Sequence, residues 1–275
     1  MNFGELSWGK KNRLAQMFKP DKNGEHHTVM FAIDHSYFMG PIRGLEDPRK
    51  TIRPLVKYAD CISPARGTLE YCLDPLNPIP VILRISGGTS IERKVYSDEA
   101  IMTCVEDAVK LNAIGVSVQV LIGSEHERQT IKNLSEAVRK SEKYGLLVLG
   151  VVAVGEELEE KKNDARYLKL AGRIIQEFGA NIVKTYWCKN EFEEVRNGIQ
   201  TPIVIAGGKG EGTMESLVYT YNSIQGRADG VDMGRKIFQN EYPEAMIRAV
   251  RSIVHDGLTT EEAFDFYNHL VQEKK

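Results

Sequence analysis

The sequence lacks the features that would place this chain in a membrane or on a nucleic acid. Its 275 residues contain no unbroken apolar stretch near the roughly 18 residues that a membrane-spanning helix needs. Neither sign of charge dominates, since 36 lysines and arginines face 38 aspartates and glutamates. No nucleic acid or anionic membrane is therefore expected as a partner. The start, Met1–Glu5, also lacks the basic-then-apolar order of a signal peptide, which favours a cytoplasmic location.

Cysteine and histidine are too scattered to predict a metal site. The four cysteines show no CxxC spacing, and no two of the six histidines stand four residues apart, as a pair of ligands on one helix face would. We therefore expect reduced thiols, which fit a cytoplasmic protein, and no bound metal.

What the sequence does contain is a series of short apolar, β-branched runs. They recur roughly 20–35 residues apart, the spacing of successive strand–helix units. This pattern predicts an α/β protein, a single (β/α)8 TIM barrel over residues 29–275 with a polar, helical N-terminal extension over 1–28 and an extra C-terminal helix. The eight predicted strands are Val29–Ile33, Asp60–Ser63, Val81–Ile85, Val116–Ile122, Leu146–Val154, Asn181–Thr185, Ile203–Ala206 and Gly230–Met233.

Helix starts can be predicted from capping residues. Asp47, followed by a proline, predicts a helix over Arg49–Tyr58. Ser97 predicts another, whose apolar stripe runs through Ile101–Val109. The last helix is expected to begin at a capping box, Thr259–Glu262.

Lys184 is the strongest candidate for chemistry. In such a barrel the carboxyl ends of the strands form the active face, and Lys184 is the last residue but one of the sixth apolar run. An apolar setting favours the neutral amine, which can attack a carbonyl and form a Schiff base. The alternative is a structural lysine whose amine reaches water or a carboxylate.

Two glycine-tipped strand ends indicate a phosphate site. Gly207 and Gly208 follow the seventh run, and Gly234 and Arg235 follow the eighth. Strands seven and eight are the usual phosphate position of these barrels, where backbone N–H groups and a guanidinium can bind the anion. Taken singly, each pair could be only a turn.

Further polar residues end other strands. Asp34 and His35 follow the first run and are candidates for proton transfer or water positioning, although an ordinary turn is equally compatible. Ser86 and Gly87 after the third run, and Tyr186 after the sixth, are predicted to contact the substrate.

Six motifs together resemble those of the DhnA-type class I aldolases, over nearly the whole chain. They are Phe31-Ala32-Ile33-Asp34-His35, Leu83-Arg84-Ile85-Ser86-Gly87, Ile122-Gly123-Ser124-Glu125, Val183-Lys184-Thr185-Tyr186, Ile205-Ala206-Gly207-Gly208-Lys209 and Val231-Asp232-Met233-Gly234-Arg235-Lys236-Ile237-Phe238-Gln239.

The resemblance implies a barrel that assembles into homo-oligomeric rings, with Lys184 as the Schiff-base lysine, Asp34 as the strand-1 acid and phosphate sites at Gly207, Gly208, Gly234 and Arg235. Sugar-bisphosphate-cleaving members carry aromatic residues, including a tyrosine proton donor, on strand 5, where this chain has none. The aliphatic strand favours the branch that processes autoinducer-2. A second departure is Ser36 in place of the usual glycine after the Asp-His pair.

Three functions follow from these residues. The first is a thiolase-like enzyme that cleaves a C–C bond in a small phosphorylated diketone and transfers acetyl to coenzyme A as co-substrate. The second is a class I aldolase or transaldolase of a sugar phosphate, which keeps the lysine chemistry. The third is a barrel oxidoreductase whose two glycine loops hold the phosphate of flavin mononucleotide.

Overall fold

Eight parallel strands alternate with helices along the chain, as the spacing of the apolar runs predicts. The structure, a computed structural model, describes residues 6–93, 97–154, 158–210 and 212–273. The strands are β1 (His26–Ala32), β2 (Cys61–Ser63), β3 (Ile82–Arg84), β4 (Gly115–Val120), β5 (Leu147–Val152), β6 (Ile182–Thr185), β7 (Ile203–Ala206) and β8 (Gly230–Met233).

The strands close into a ring, which confirms the predicted (β/α)8 barrel. From β3 to β8 each strand pairs with the next in parallel, β8 pairs with β1, and β1 pairs with β2. The bounds of β7 and β8 coincide with the prediction. β1 begins earlier than expected, because His26 and His27 pair antiparallel with the short strand Lys19–Pro20.

The ring closes between β2 and β3, at a junction we call the β2–β3 seam. The contacts are one parallel bridge between Ile62 and Val81, a 3.0 Å bond from the Ile62 amide to the Pro80 carbonyl, and a 2.9 Å bond from the Arg84 amide to the Pro64 carbonyl. Proline has no N–H to donate, so both prolines contribute carbonyls alone. Few backbone hydrogen bonds therefore join β2 to β3 at this seam.

The barrel interior is an apolar core, and the N-terminal helix closes it at one end. Leu14 and Met17 of the helix Trp8–Met17, together with Phe18, are almost wholly buried against inward-facing strand residues. Those residues are Met30, Cys61, Ile82, Leu147, Leu149, Ile182 and Val204. Because this apolar cluster fills the amino-terminal end, the open end of the barrel is at the strands' carboxyl ends.

Helices cover the outside of the ring. Among the described residues, none is long and apolar enough to cross a bilayer. The α-helices are Trp8–Met17, Ser36–Met39, Pro48–Thr51, Arg53–Val56, Arg66–Cys72, Val105–Lys110, Glu127–Glu142, Ala165–Glu177, Phe192–Gly198, Thr213–Gln225, Arg235–Phe238, Pro243–Arg251 and Thr260–Gln272, with a 3-10 turn at Glu159–Asn163 and a π-helical turn at Ser252–Asp256.

Capping residues predicted some helix starts correctly. The capping box of Thr259 and Glu262 is present, and Asp47 accepts a hydrogen bond from the Arg49 amide at 3.2 Å. The prediction of one helix over Arg49–Tyr58 was wrong. The segment forms two short helices, since Pro54 has no N–H with which to continue the first.

The helix expected after Ser97 was also wrong in its first half. Ala100–Ile101 forms a short antiparallel strand with Ser86–Gly87, and the helix begins only at Val105. The adjacent Glu99 carboxylate instead lies inside the protein, 2.9 Å from Arg84. A buried ion pair decided the local conformation here against the helical pattern.

Candidate active site

The amine of Lys184 lies inside the barrel mouth, as predicted, and it has a carboxylate partner. Lys184 is on β6 and shares its side of the strand with buried Ile182, because alternate residues of a strand face the interior. Its Nζ is 2.8 Å from Oδ2 of Asp232, whose side chain is 0% exposed. Burial raises the pKa of Asp232, and the charge of Lys184 opposes that rise. The ion pair therefore holds the amine in place.

Asp232 and Arg84 are site residues that the sequence reasoning did not single out. In both cases the alternation of residues along the strand predicts that the side chain faces the barrel interior. On β8, Val231 and Met233 face the helices, so Asp232 must face the interior. On β3, Ile82 is an interior residue and Arg84 therefore points the same way.

Asp34 and His35 lie next to this pair at the end of β1. The Asp34 carboxylate is 3.4 Å from an Arg84 nitrogen and 3.6 Å from Nδ1 of His35. Burial lowers the pKa of His35 to about 4; Asp34 opposes the shift, whereas Arg235 and Lys184 add to it. His35 is thus neutral at physiological pH, with one donor and one acceptor nitrogen.

Arg84 organises a buried polar network beside Asp34. Its guanidinium bonds the Tyr37 hydroxyl at 2.6 Å, the Glu99 carboxylate at 2.9 Å and the Gln119 side chain at 2.5 Å. Burial alone would lower the pKa of Arg84, but Tyr37, Glu99 and Asp34 raise it overall. Arg84 therefore stays charged and holds Asp34 toward the mouth.

Ser86, predicted to bind substrate, belongs to the same network. Its hydroxyl donates to the Glu99 carboxylate at 2.7 Å and accepts from the backbone N–H of Gln119 at 3.0 Å. Its carbonyl accepts from Arg84 Nε at 2.8 Å. Gly87 follows and packs close to the Tyr37 ring, where a Cβ would lie 3.0 Å from the ring edge. In this arrangement Ser86 positions Arg84 and Glu99.

The predicted phosphate residues lie on the opposite side of the mouth. Gly207 and Gly208 follow β7, and Gly208 has a φ of +72° with no atom within 4 Å of where its Cβ would be. Gly234 and Arg235 follow β8. The Nε of Arg235 is buried and has no hydrogen-bond partner among the described residues. An unpaired buried donor that directly follows the glycine at the end of β8 is suited to an anion.

Tyr186 and Glu159 complete this side. Burial raises the pKa of Tyr186 to about 12, Glu159 adds to the shift, and Arg235 partly offsets it. Burial lowers the pKa of Arg235, against the influence of Tyr186 and Glu159. Tyr186 is thus a neutral phenol beside a cation.

The aliphatic character of strand 5 shapes the wall next to the lysine. In the parallel register of β5 and β6, Val151 is the residue opposite Lys184. Leu149, on the same side of β5, belongs to the interior core. These two positions of β5 therefore offer no proton donor for chemistry at Lys184.

Cys188 and the one cluster of potential metal ligands lie apart from this site. Cys188 is buried in the core outside the barrel. In the described part of the chain, only Asp21, Glu25 and His27 bring three such ligands together, at the start of β1 and hence at the other end of the barrel.

Comparison with known proteins assigns this chain to a family. Residues 28–240 match the family described as DeoC/LacD family aldolase. The chain is 45% identical over 264 residues to an uncharacterized aldolase of Pasteurella multocida, covering 96% of this chain and 89% of the relative. It is 44% identical over 272 residues to 3-hydroxy-5-phosphonooxypentane-2,4-dione thiolase of Enterobacter sp., covering 99% and 88%.

The fold has solved relatives as well. An archaeal fructose 1,6-bisphosphate aldolase superposes with a TM-score of 0.79 at 21% identity, covering 90% of this chain and 100% of that chain. This likeness independently supports the barrel, and the sequence matches extend over almost the whole chain. The protein belongs to the DeoC/LacD family of aldolases.

Proposed function

We propose that this protein forms a Schiff base through Lys184 with a small phosphorylated diketone, cleaves a C–C bond and transfers the acetyl group to coenzyme A. The observation that carries this proposal is the interior Lys184–Asp232 pair, which lies in the same barrel mouth as the unpaired Arg235 donor. The name of the Enterobacter relative supplies the substrate, 3-hydroxy-5-phosphonooxypentane-2,4-dione.

Phosphate binding positions the substrate. Backbone N–H groups of Gly207, Gly208 and Gly234, with the Arg235 guanidinium, would hold the phosphate and place the neighbouring ketone at the Lys184 amine. The ammonium of Lys184 first passes a proton to Asp232, the free amine adds to that ketone, and the same proton leaves with the water, which produces an iminium. Asp232 provides a negative charge 2.8 Å from the nitrogen that becomes positive.

The iminium then accepts the electrons of the bond that breaks. The sulfur of coenzyme A adds to the other ketone, and cleavage of the C–C bond leaves acetyl-CoA and an enamine on Lys184. The proton lost by the thiol is matched by the proton that the enamine carbon takes up. Water finally hydrolyses the iminium and releases a three-carbon keto-phosphate.

Proton transfer is assigned to Asp34 and His35. A neutral imidazole can accept a proton at one nitrogen while it donates at the other, and burial keeps His35 neutral. Asp34, held by Arg84, lies 3.6 Å from that ring. Tyr186 is a second donor, since its raised pKa keeps the phenol protonated.

Borohydride trapping tests the proposal. Incubation with the phosphorylated dione and borohydride should add mass to the peptide that contains Lys184, and coenzyme A should be converted to acetyl-CoA. Lys184→Arg should lose several orders of magnitude in turnover because a guanidinium cannot form the imine. Lys189→Arg, an exposed lysine beyond β6, is the matched control and should behave like wild type. Full incorporation in Lys184→Arg would disprove the assignment.

A class I aldolase or transaldolase of a sugar phosphate is the alternative that shares the same lysine. Rapid cleavage of a ketose bisphosphate, without acetyl-CoA from the dione, would establish it. Val151 opposite Lys184 argues against ordinary sugar-bisphosphate cleavage, since no aromatic donor stands there. A flavin enzyme, the third function, requires flavin absorbance in the purified protein.

Assembly and location belong to the same proposal. We expect a homo-oligomer, and exposed apolar side chains such as Trp8, Tyr71 and Leu76 give it contact surface. Light scattering on the purified protein measures the number of subunits. The use of coenzyme A, an intracellular metabolite, implies a cytoplasmic location.

A further inference from the structure

A second cavity opens at the carboxyl ends of β2 and β3, separate from the phosphate side of the mouth. Its volume is about 450 Å³. One wall is the segment after β2 that begins at Ala65, and the other is the turn that follows β3. The residues that bear on its chemistry are Tyr37, Arg66, Arg84, Gly87, Gly88 and Arg93.

This cavity shares a wall with the reaction site. Arg84 and Tyr37 line the cavity and are bonded to each other at 2.6 Å. Arg84 also contacts Asp34 at 3.4 Å. A molecule in the cavity would therefore contact the pair of side chains that positions Asp34, and could extend past them into the barrel mouth.

The charge of the lining selects an anion. Three arginines line the cavity, and the described lining contains no carboxylate. The charge of Arg84 is already matched by Glu99 and Asp34. The other two, Arg66 and Arg93, are far more exposed than Arg84.

Arg66 and Arg93 are held only by surface ion pairs. Arg66 is 48% exposed and contacts Glu70 at 3.3 Å and Asp107 at 3.2 Å. Arg93 is 60% exposed and lies 3.6 Å from Asp98. Exposed pairs of this kind contribute little, so both guanidinium groups can turn to a phosphate at small cost.

Two of the residues that line the cavity, Gly87 and Gly88, have no side chain. Gly88 has a φ of +128°, which residues with a Cβ rarely adopt, and Gly87 leaves no room for a Cβ beside Tyr37. Met102, 67% exposed, adds an apolar surface at the rim. The cavity therefore combines an apolar residue at the rim, two glycines and two exposed arginines.

We propose that this cavity binds the phosphate-bearing end of the acyl acceptor, a coenzyme A-type thiol. Arg66 and Arg93 contact its phosphates, and its thiol arm passes Tyr37 and Arg84 toward the ketone on Lys184. The donor phosphate remains with Arg235 on the other side of the mouth. This inference rests on the proposed function, to which it adds a separate site for the second substrate.

The test measures the two substrates independently. In Arg66→Ala and Arg93→Ala the KM for coenzyme A should rise about tenfold each, for a lost charged hydrogen bond. The KM for the phosphorylated dione, and borohydride trapping without coenzyme A, should stay at the wild-type level. Arg49→Ala, another exposed arginine paired with an aspartate, lies outside the cavity and is the matched control.

A phosphate-free thiol, N-acetylcysteamine, provides a second control. It should serve wild type and both variants equally, since it offers nothing for the arginines to bind. An unchanged KM for coenzyme A in both variants would overturn the assignment, and so would an equal rise in the KM for the dione.

Equilibrium titration with coenzyme A separates this inference from the proposed function. Binding that weakens in the Arg66 and Arg93 variants supports the cavity even if no acetyl-CoA is formed, an outcome that refutes only the acetyl transfer. Turnover to acetyl-CoA with unaltered affinity in the variants refutes only the cavity.

Discussion

Gly234 leaves room for the imidazole of His35. A Cβ at position 234 would lie 2.6 Å from Cε1 of His35 and 2.5 Å from the carbonyl oxygen of Ala32. Both distances are far below van der Waals contact, and one neighbour is rigid backbone. The absence of a side chain at Gly234 thus allows the strand-1 residues and the phosphate loop to approach each other.

Gly234→Ala should therefore impair the enzyme more than its size suggests. The added methyl has to displace His35 or the β8 loop, and such overpacking costs about 1–3 kcal/mol. We expect a lower melting temperature and a higher KM for the phosphorylated substrate. Gly67→Ala, in the helix Arg66–Cys72 and with no atom within 4 Å of the new Cβ, should not lower the melting temperature and should leave KM unchanged. Equal melting temperatures for the two variants would contradict the close approach.

Asp232→Asn tests the partner of Lys184. The amide keeps the shape but removes the charge that offsets the iminium, and a lost hydrogen bond between charged groups costs about 1.5–3 kcal/mol. The value of kcat should fall on the order of 10- to 100-fold, with a smaller change in KM. Borohydride trapping kinetics would show whether the loss arises in iminium formation.

Asp229→Asn is the matched control for that variant. Asp229 precedes β8 at the other end of the barrel, is also largely buried, and accepts a hydrogen bond from the Ile203 amide at 2.8 Å. This substitution should lower stability and leave kcat of the folded protein unchanged. If both variants lost kcat equally, Asp232 would have a structural role alone.

Arg235→Ala should weaken phosphate anchoring. Loss of a charged hydrogen bond to the phosphate costs about 1.5–3 kcal/mol, which predicts a KM for the dione raised on the order of 10- to 100-fold and a smaller loss in kcat. Arg227→Ala removes an exposed arginine and should leave both constants unchanged. An unaltered affinity of Arg235→Ala for inorganic phosphate would refute the phosphate site.

We expect His35 to make the free energy of unfolding depend on pH. Its folded pKa, about 4, is below the unfolded value near 6.5, so the unfolded chain binds a proton that the folded protein refuses. Stability is thus lost as pH falls from about 6.5 toward 4. His35→Gln, which is uncharged throughout, should lose less stability over this range. Denaturant unfolding at pH 7 and pH 5 measures the difference, and parallel losses in both proteins would contradict the prediction.

Periodicity was sufficient to predict the barrel and the place of Lys184. Eight apolar runs of regular spacing predict the eight strands, and a lysine near the end of the sixth run must lie toward the carboxyl end of the barrel. The match to an aldolase family over residues 28–240 agrees with the predicted barrel. These features depend on local pattern and on a general rule of the architecture.

The partners of the site residues depend on contacts between distant segments. Asp232 lies two strands beyond Lys184, and nothing in the neighbouring sequence shows that their side chains meet. Glu99 is a clearer example of a contact between distant segments, because its local sequence favours a helix while its carboxylate pairs with Arg84. Burial of Arg84 demanded a counter-charge, and this long-range requirement is absent from any local pattern.

The β2–β3 seam is the place where we expect the strands of the barrel to separate most easily. Few backbone contacts join β2 to β3, and two prolines flank them. These two strands can therefore separate at a lower free-energy cost than β4 and β5, which pair along their whole length. The cavity between Arg66 and Gly88 lies directly above it. We therefore expect separation of strands to occur first at this seam, whereas Lys184 and Asp232 lie on β6 and β8, away from it.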